Sequence, residues 1–170
     1  MKRVNFEFKA RLKDEPAVRA ALKRLRARYV GRDHQIDTYF KVAQGRLKLR
    51  EGKIENALIF YNRSNAARAR RARVEMALLP RRNGMKAVLT KAFDVRVVVD
   101  KCREIYFVGN VKIHLDRVRG LGKFVEVEAL ARDGNLAQAR RRALKFQKLL
   151  AIKHSDIVGK SYADLKGLAH

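Results

Sequence analysis

The sequence predicts an α+β fold, an antiparallel sheet or barrel with helices packed against it. Three observations carry that expectation. About eight stretches have the period-two or β-branched character of strands, and only three or four have helical spacing. The strand-like stretches follow one another through short turn-like breaks, whereas a parallel sheet needs strands and helices to alternate. Several strands oppose an apolar face with a charged one, as strands buried on one side do.

Taken in order, residues 4–12 place Val4, Phe6, Phe8 and Ala10 on one face and Asn5, Glu7, Lys9 and Arg11 on the other. Asp14 before Pro16 marks a helix start, with Val18, Leu22, Leu25 and Tyr29 following at helical spacing. Residues 38–42, 46–51 and 58–63 read as strands, with His34 in a loop before them. Residues 64–73 are Ala/Arg-rich, lack an apolar stripe and read as a mobile loop; strand character resumes at 73–79 until Pro80 and Asn83-Gly84 break it. A short helix carries Met85, Leu89 and Phe93. Val95, Val97 and Val99 then alternate, residues 102–108 stay β-prone, and Val111, Ile113 and Leu115 alternate with Lys112, His114 and Asp116. Gly120-Leu121-Gly122 turns the chain into a partner strand at 123–130, forming a hairpin. Gly134-Asn135 opens a helix to about Leu150, and a last short helix holds Tyr162, Leu165 and Leu168.

A chain of 170 residues with 47% hydrophobic content fits a single domain, 1–170, with a real core. Its one cysteine, Cys102, excludes an intramolecular disulfide, and four scattered histidines give no zinc cluster. No apolar run approaches the ~18–20 residues of a membrane span, and the N-terminus lacks the apolar stretch of a secretory signal. A cytoplasmic location follows as an expectation. The balance of 41 Lys+Arg against 17 Asp+Glu, +24 net, attracts polyanions of any kind without choosing among nucleic acid, acidic lipid, polyphosphate and nucleotide. The basic run at residues 68–73 reads as a solvated loop rather than a docking segment, so nucleic acid is not the favoured partner.

The charged strand faces are Glu7/Lys9/Arg11, Arg46/Lys48/Arg50, Lys101/Arg103, Lys112/His114/Asp116 and Glu126/Glu128. Any one alone reads as a solvent face. Two features set the group apart. Acids are scarce here, yet Glu126 and Glu128 stand two apart on one strand face, where like charges are costly unless a cation lies between them. The helices are amphipathic and need an apolar surface to cover. If they cover the outside of a curved sheet, the charged faces turn inward and line a wet cavity suited to a metal-bridged polyphosphate. Gly120-Leu121-Gly122 lacks the spacing and the Lys-Ser/Thr ending of a phosphate loop. His114 reads as a hydrogen-bonded wall residue rather than an acid or base.

The stretch Asn5-Phe6-Glu7-Phe8-Lys9-Ala10-Arg11 resembles the ExExK strand that opens the CYTH superfamily, the triphosphate tunnel metalloenzymes. Asp37-Thr38-Tyr39-Phe40, Gly45 through Glu51, Tyr61-Asn62-Arg63, Lys101-Cys102-Arg103-Glu104, Asn110 through Asp116 and Leu121 through Glu128 follow in that family's order. The wording is most similar to the class IV adenylyl cyclase branch. The resemblance implies an eight-stranded antiparallel β-barrel forming a tunnel, with helices outside, dependence on Mg²⁺ or Mn²⁺, and a triphosphate substrate. It implies Glu7, Glu126 and Glu128 as metal ligands and Lys9, Arg50, Arg63, Lys101 and Arg103 as phosphate ligands, with Lys48 and Lys112 as helpers. Asp116 would stand near the reacting phosphate as a metal ligand or base, beside Lys101 and Arg103. Two positions depart from the pattern: Asn5 replaces the first Glu, which puts a second metal in doubt, and residues 64–77 are unusually basic.

As an adenylyl cyclase the chain would convert ATP to cyclic AMP and pyrophosphate. As a triphosphatase it would hydrolyse inorganic triphosphate or an organic one such as thiamine triphosphate. A non-catalytic module for polyphosphate or RNA is the reading from another class, and it predicts strong salt dependence without product. A homodimer is common in the family that the sequence resembles.

Overall fold

The computed structural model of the chain describes residues 2–62, 70–131 and 135–167. Among them are eight strands: β1 (Lys2–Arg11), β2 (Arg28–Phe40), β3 (Arg46–Glu51), β4 (Ala57–Asn62), β5 (Arg70–Leu78), β6 (Val95–Val108), β7 (Val111–Val118) and β8 (Gly122–Leu130). The helices are α1 (Glu15–Arg24), α2 (Met85–Ala92), α3 (Leu136–Leu149) and α4 (Tyr162–Lys166). All pairings are antiparallel, in the ring order β1-β5-β4-β3-β2-β6-β7-β8, and β8 returns to β1. The sheet is a closed barrel, and closure removes the unpaired edges that an open sheet would expose.

The apolar faces point outward. Phe8 and Ala10 of β1, Ile113 and Leu115 of β7, and Val125 and Val127 of β8 pack against Val18 and Leu22 of α1 and Ala139, Ala143 and Phe146 of α3. The main core therefore lies between barrel and helices, where each large side chain removed from water contributes about 1.5–3 kcal/mol. Each helix has its start signal: the Asp14 carboxylate accepts from the Ala17 N–H, and the Asn135 side chain accepts from the Gln138 N–H.

With the apolar face outside, strand alternation sends the charged face inside. Lys9, Lys48, Arg50, Lys101 and Arg103 are all buried in the barrel wall. One end of the interior is filled. Tyr39, Ile59, Val99, Val118 and Phe124 share the inward phase of these charged residues and pack with Tyr162 and Ala163 of α4. A capping box of Ser161 and Asp164 starts α4, and Arg46 and Arg96 both donate to Asp164 at 3.0 and 2.9 Å.

Two segments differ from the sequence reading. The first helix stops at Arg24, before Tyr29, because Arg26 adopts a left-handed φ of 49° that turns the chain into β2. β2 then runs 13 residues along β6 and takes in His34, read above as a loop residue. Its inward Asp33 and Gln35 and its outward Arg32 and His34 are all polar, so no apolar alternation marks the strand before Ile36. Residues 70–73 pair with β1 as the start of β5, and the remainder of the Arg-rich stretch lies outside the described residues. No helix among the described residues is long and apolar enough to cross a membrane.

Candidate active site

The barrel encloses a cavity of about 300 Å³, at the lower end of the range for small-molecule sites. Its walls are of two kinds. β1, β2, β3, β7 and β8 contribute charged side chains, joined by Arg103 of β6; β4 and β5 contribute Ala57, Ile59, Tyr61, Val74, Met76 and Leu78.

The charged wall is organised around carboxylates. Arg50 donates from Nε to Asp37 Oδ1 at 2.8 Å and from Nη2 to Oδ2 at 2.9 Å, while Lys48 and Lys101 donate to the same Oδ2 at 2.9 and 2.7 Å. Burial pushes the Asp37 carboxyl up, but Arg50, Lys101 and Lys48 outweigh it and hold the group well below the usual carboxylate range. Burial, aided by the like charges of Arg50, Arg103 and Lys48, brings the Lys101 ammonium down to about 7 despite Asp37. Glu55 accepts from Arg50 Nη1 at 2.8 Å, from Gln35 Nε2 at 3.1 Å and from Lys112.

Glu55 reaches the cavity from the turn between β3 and β4. Buried Asp33 accepts the backbone N–H groups of Lys53, Ile54 and Glu55 at 2.7, 3.1 and 3.0 Å. A Cβ at Gly52 would stand 2.6 Å from Asp33 Oδ2 and 2.7 Å from the Glu55 carbonyl oxygen, so that turn needs a glycine.

A second cluster forms where β6, β7, β8 and β1 meet. Register sets Arg103 opposite Asp116, His114 opposite Glu126, and Lys9 opposite Glu126. Arg103 donates to Asp116 from Nε at 2.7 Å and from Nη2 at 2.5 Å, and the same Nη2 reaches Glu126 at 2.5 Å. Lys9 Nζ stands 3.4 Å from the other Glu126 oxygen and 3.9 Å above the Tyr162 ring, and Tyr162 donates to Asp116 at 2.7 Å. Burial raises the Glu126 and Asp116 carboxyls, yet Arg103 outweighs it at both and leaves them below their ordinary values.

His114 is a wall residue as its sequence reading has it, but not a hydrogen-bonded one. It is 1% exposed and lines the cavity, yet neither ring nitrogen has a hydrogen-bond partner among the described residues. Its Nδ1 stands 3.6 Å from both Glu126 Oε2 and Glu128 Oε1, beyond hydrogen-bond range. Strand register places it opposite Glu126 and diagonal to Glu128, which is opposite Lys112, so both acceptors are close but too far to bond. Burial and Arg103 push its imidazole below the ordinary value.

The structure thus gathers Lys48, Arg50 and Lys101 on Asp37, Lys112 with Arg50 on Glu55, and Lys9 with Arg103 on Glu126. Glu126, Glu128 and His114 bring one ligand atom each to within 4.8 Å of one another. Glu7 lines the same cavity, opposite Glu128 in register, but does not belong to that set. Arg63 lies outside the described residues. Lys101 and Asp116 are buried behind the cavity lining rather than in it. Sequence reasoning missed Asp37 and Glu55 as site residues. Asp37 was legible only as part of a motif, and Glu55 sits in a turn, where no periodicity assigns a face.

A closed antiparallel barrel with helices outside and a charged interior defines a tunnel protein. The chain matches the CYTH domain family over residues 4–162 and belongs to it. It is 26% identical to a provisionally named adenylate cyclase of Methanocaldococcus jannaschii, over 97% of this chain and 99% of that protein. A solved protein of Pyrococcus horikoshii OT3 shares the fold with a TM-score of 0.80 at 21% identity, over 95% of this chain and 98% of that one. A protein of Hippeastrum, provisionally named an adenylyl cyclase and described as having a dominant triphosphatase activity, does so with a TM-score of 0.66 at 12% identity, over 98% and 96% of the two chains.

Proposed function

We propose that the tunnel binds an organic triphosphate together with a divalent cation, and that the chain acts on ATP as an adenylyl cyclase. The observation that carries this reading is the pair of walls. Cations converging inside a barrel suit a chain of phosphates, while the apolar face of Ile59, Val74 and Met76 suits an organic group and would be wasted on inorganic triphosphate. The name of the Methanocaldococcus jannaschii relative agrees with it.

The donor set fits a divalent cation: Glu126 and Glu128 supply oxygens, and Glu7 lines the same space. Mg²⁺ or Mn²⁺ held there would supply charge neutralisation on phosphate oxygens. The remaining work belongs to the chain. In cyclisation the ATP 3′-hydroxyl gives up its proton to water in the open cavity, its oxygen bonds to the α-phosphorus, the bond from that phosphorus to the bridging oxygen breaks, and pyrophosphate leaves with the bonding electron pair. Lys9, Lys48, Arg50, Arg103 and Lys112 are placed to bind the phosphates and offset that charge as it develops. Asp116, tied to Arg103 and Tyr162 and lowered by the arginine, serves to position the guanidinium rather than to accept a proton. Holding the triphosphate extended fixes the ribose oxygen in line, so catalysis is largely positioning.

Hydrolysis at the terminal phosphorus is the second reading, favoured by the activity described for the Hippeastrum protein. The same cradle would orient water instead of the ribose oxygen. Incubation with ATP and with inorganic triphosphate, each with Mg²⁺ and with Mn²⁺, separates the readings. Cyclic AMP and pyrophosphate from ATP are expected. Phosphate alone would replace the cyclase by a triphosphatase. Absence of any product would leave a binding module.

A further inference from the structure

Nitrogen is an unusual donor to find among carboxylates in a site built for a hard cation. His114 sits on the inward face of β7, opposite Glu126 across the β7–β8 ladder. Its Nδ1 is equidistant, at 3.6 Å, from one oxygen of Glu126 and one of Glu128. That spacing is too long for a hydrogen bond and short enough for two donors to share one small cation. Both ring nitrogens lack a hydrogen-bond partner among the described residues although the side chain is fully buried. Burying a polar side chain without a hydrogen bond is costly, and a ligand in the cavity that His114 lines can offset that cost.

The surroundings limit what that partner can be. An anion at Nδ1 would meet Glu126 and Glu128. A hydrogen-bonding neutral group could satisfy the imidazole but adds no charge between the carboxylates, of which Glu126 already accepts from Arg103 at 2.5 Å and stands 3.4 Å from Lys9. A divalent cation can take the imidazole and both carboxylates as ligands together. Asn5, two residues before Glu7 on the same strand face, is neutral, so the oxygen-donor side of the cavity carries one carboxylate fewer than the ExExK pattern provides.

We infer that His114 supplies a nitrogen ligand to the cation held by Glu126 and Glu128, and that this chain consequently prefers Mn²⁺-type first-row cations over Mg²⁺. The inference rests on the proposed metal–triphosphate reading and adds to it the identity of the third donor. Its chemical basis is ligand softness. Imidazole raises affinity for first-row transition cations, with Mn²⁺ gaining least in the Irving–Williams order, and does still less for Mg²⁺, which demands oxygen.

Pulsed electron paramagnetic resonance on the full chain loaded with Mn²⁺, with and without inorganic triphosphate, tests it directly. Nitrogen modulation from one imidazole is expected, changing to the ¹⁵N pattern when histidine is labelled with ¹⁵N. In His114→Gln the modulation should vanish, and the preference for Mn²⁺ over Mg²⁺, read from calorimetric dissociation constants, should fall on the order of 10-fold. The labelled wild-type protein needs no substitution, so poor folding of the variant does not remove the test. Mn²⁺ bound without nitrogen modulation, or modulation that persists in His114→Gln, overturns the inference and leaves the carboxylate site standing. A wild-type chain that binds no Mn²⁺ even with triphosphate overturns both.

Discussion

The two walls of the tunnel are built from the same kind of strand and do opposite things. On the wall of β6, β7 and β8, inward positions carry Lys101, Arg103, Lys112, His114, Glu126 and Glu128; on the wall of β4 and β5 they carry Ala57, Ile59, Val74 and Met76. Outward, the first wall is apolar and covered by helices, with Ile113, Leu115, Val125 and Val127 in the main core. The outer face of the second wall is only partly covered: Leu58 packs with Leu49 and Leu89, while Phe60 is 38% exposed. One barrel thus sets a charged, helix-covered wall against an apolar, partly uncovered one. The difference teaches that the overall basic charge was not the informative quantity. Among the described residues inside, Lys9, Lys48, Arg50, Lys101, Arg103 and Lys112 are faced by as many carboxylates, Glu7, Asp37, Glu55, Asp116, Glu126 and Glu128. These described groups balance one another and contribute nothing to the net +24 of the sequence.

The largest effect is expected at the hub of the charged wall. Asp37→Ala leaves Lys48, Arg50 and Lys101 buried together without their shared carboxylate, which should destabilise the fold by about 3–5 kcal/mol. Urea unfolding measures this. Inorganic triphosphate should stabilise the variant more than the wild type, because phosphate takes the place of the missing carboxylate. Equal stabilisation of both would mean that these cations do not face the substrate.

Arg103→Lys probes the same wall more gently. A single ammonium cannot reproduce the fork that joins Asp116 to Glu126. Turnover of ATP should drop roughly 10²-fold, and calorimetric affinity for inorganic triphosphate should fall with it. Loss confined to ATP would assign Arg103 to the organic group instead of the phosphates.

How much of this was legible depended on whether one face of a strand was apolar. Val4 through Ala10, Val111 through Leu115 and Val125–Val127 alternate cleanly because helices cover their outer face, so β1, β7 and β8 were read to within a few residues. β2 was half lost. Polar on both faces from Arg32 to Gln35, it owes its strand form there to its pairing with β6, a contact between residues far apart in sequence. The Glu126/Glu128 pair stood out because acids are scarce, whereas Glu55 depends on a turn tied down by Asp33 and has no sequence signature. His114 was placed on the correct face, but its missing hydrogen bonds are a matter of distances that register alone does not fix.

On the apolar wall the expected effect is smaller and selective. Met76→Ser removes apolar surface from the cavity, worth roughly 1.5 kcal/mol at full contact, or about a 10-fold weaker affinity for ATP. Affinity for inorganic triphosphate should stay within about twofold. Parallel losses for both ligands would show that the two walls do not divide the substrate as the proposal requires.

The smallest effect belongs to the outer face of the strand that carries Lys101 and Arg103 inward. Glu104 points outward from β6, accepts from Arg19 at 2.9 Å and from Tyr106 at 2.7 Å, and is held at about 2, chiefly by the Arg19 hydrogen bonds. Because its folded value is depressed from 4.5, its contribution is complete above that pH and is lost as the pH falls toward 2. Arg19 is 41% exposed, so solvent screening limits the pair to about 1 kcal/mol. Asp37, Asp116 and Glu126 are also held below their ordinary values, so their protonation in acid affects stability too, and only a difference between proteins isolates Glu104. The stability gap between wild type and Glu104→Gln should be about 1 kcal/mol at pH 7 and should close by pH 2. A gap that is constant across that range would show that Glu104 acts through packing rather than charge, and that this outer ion pair adds nothing to what the buried network already provides.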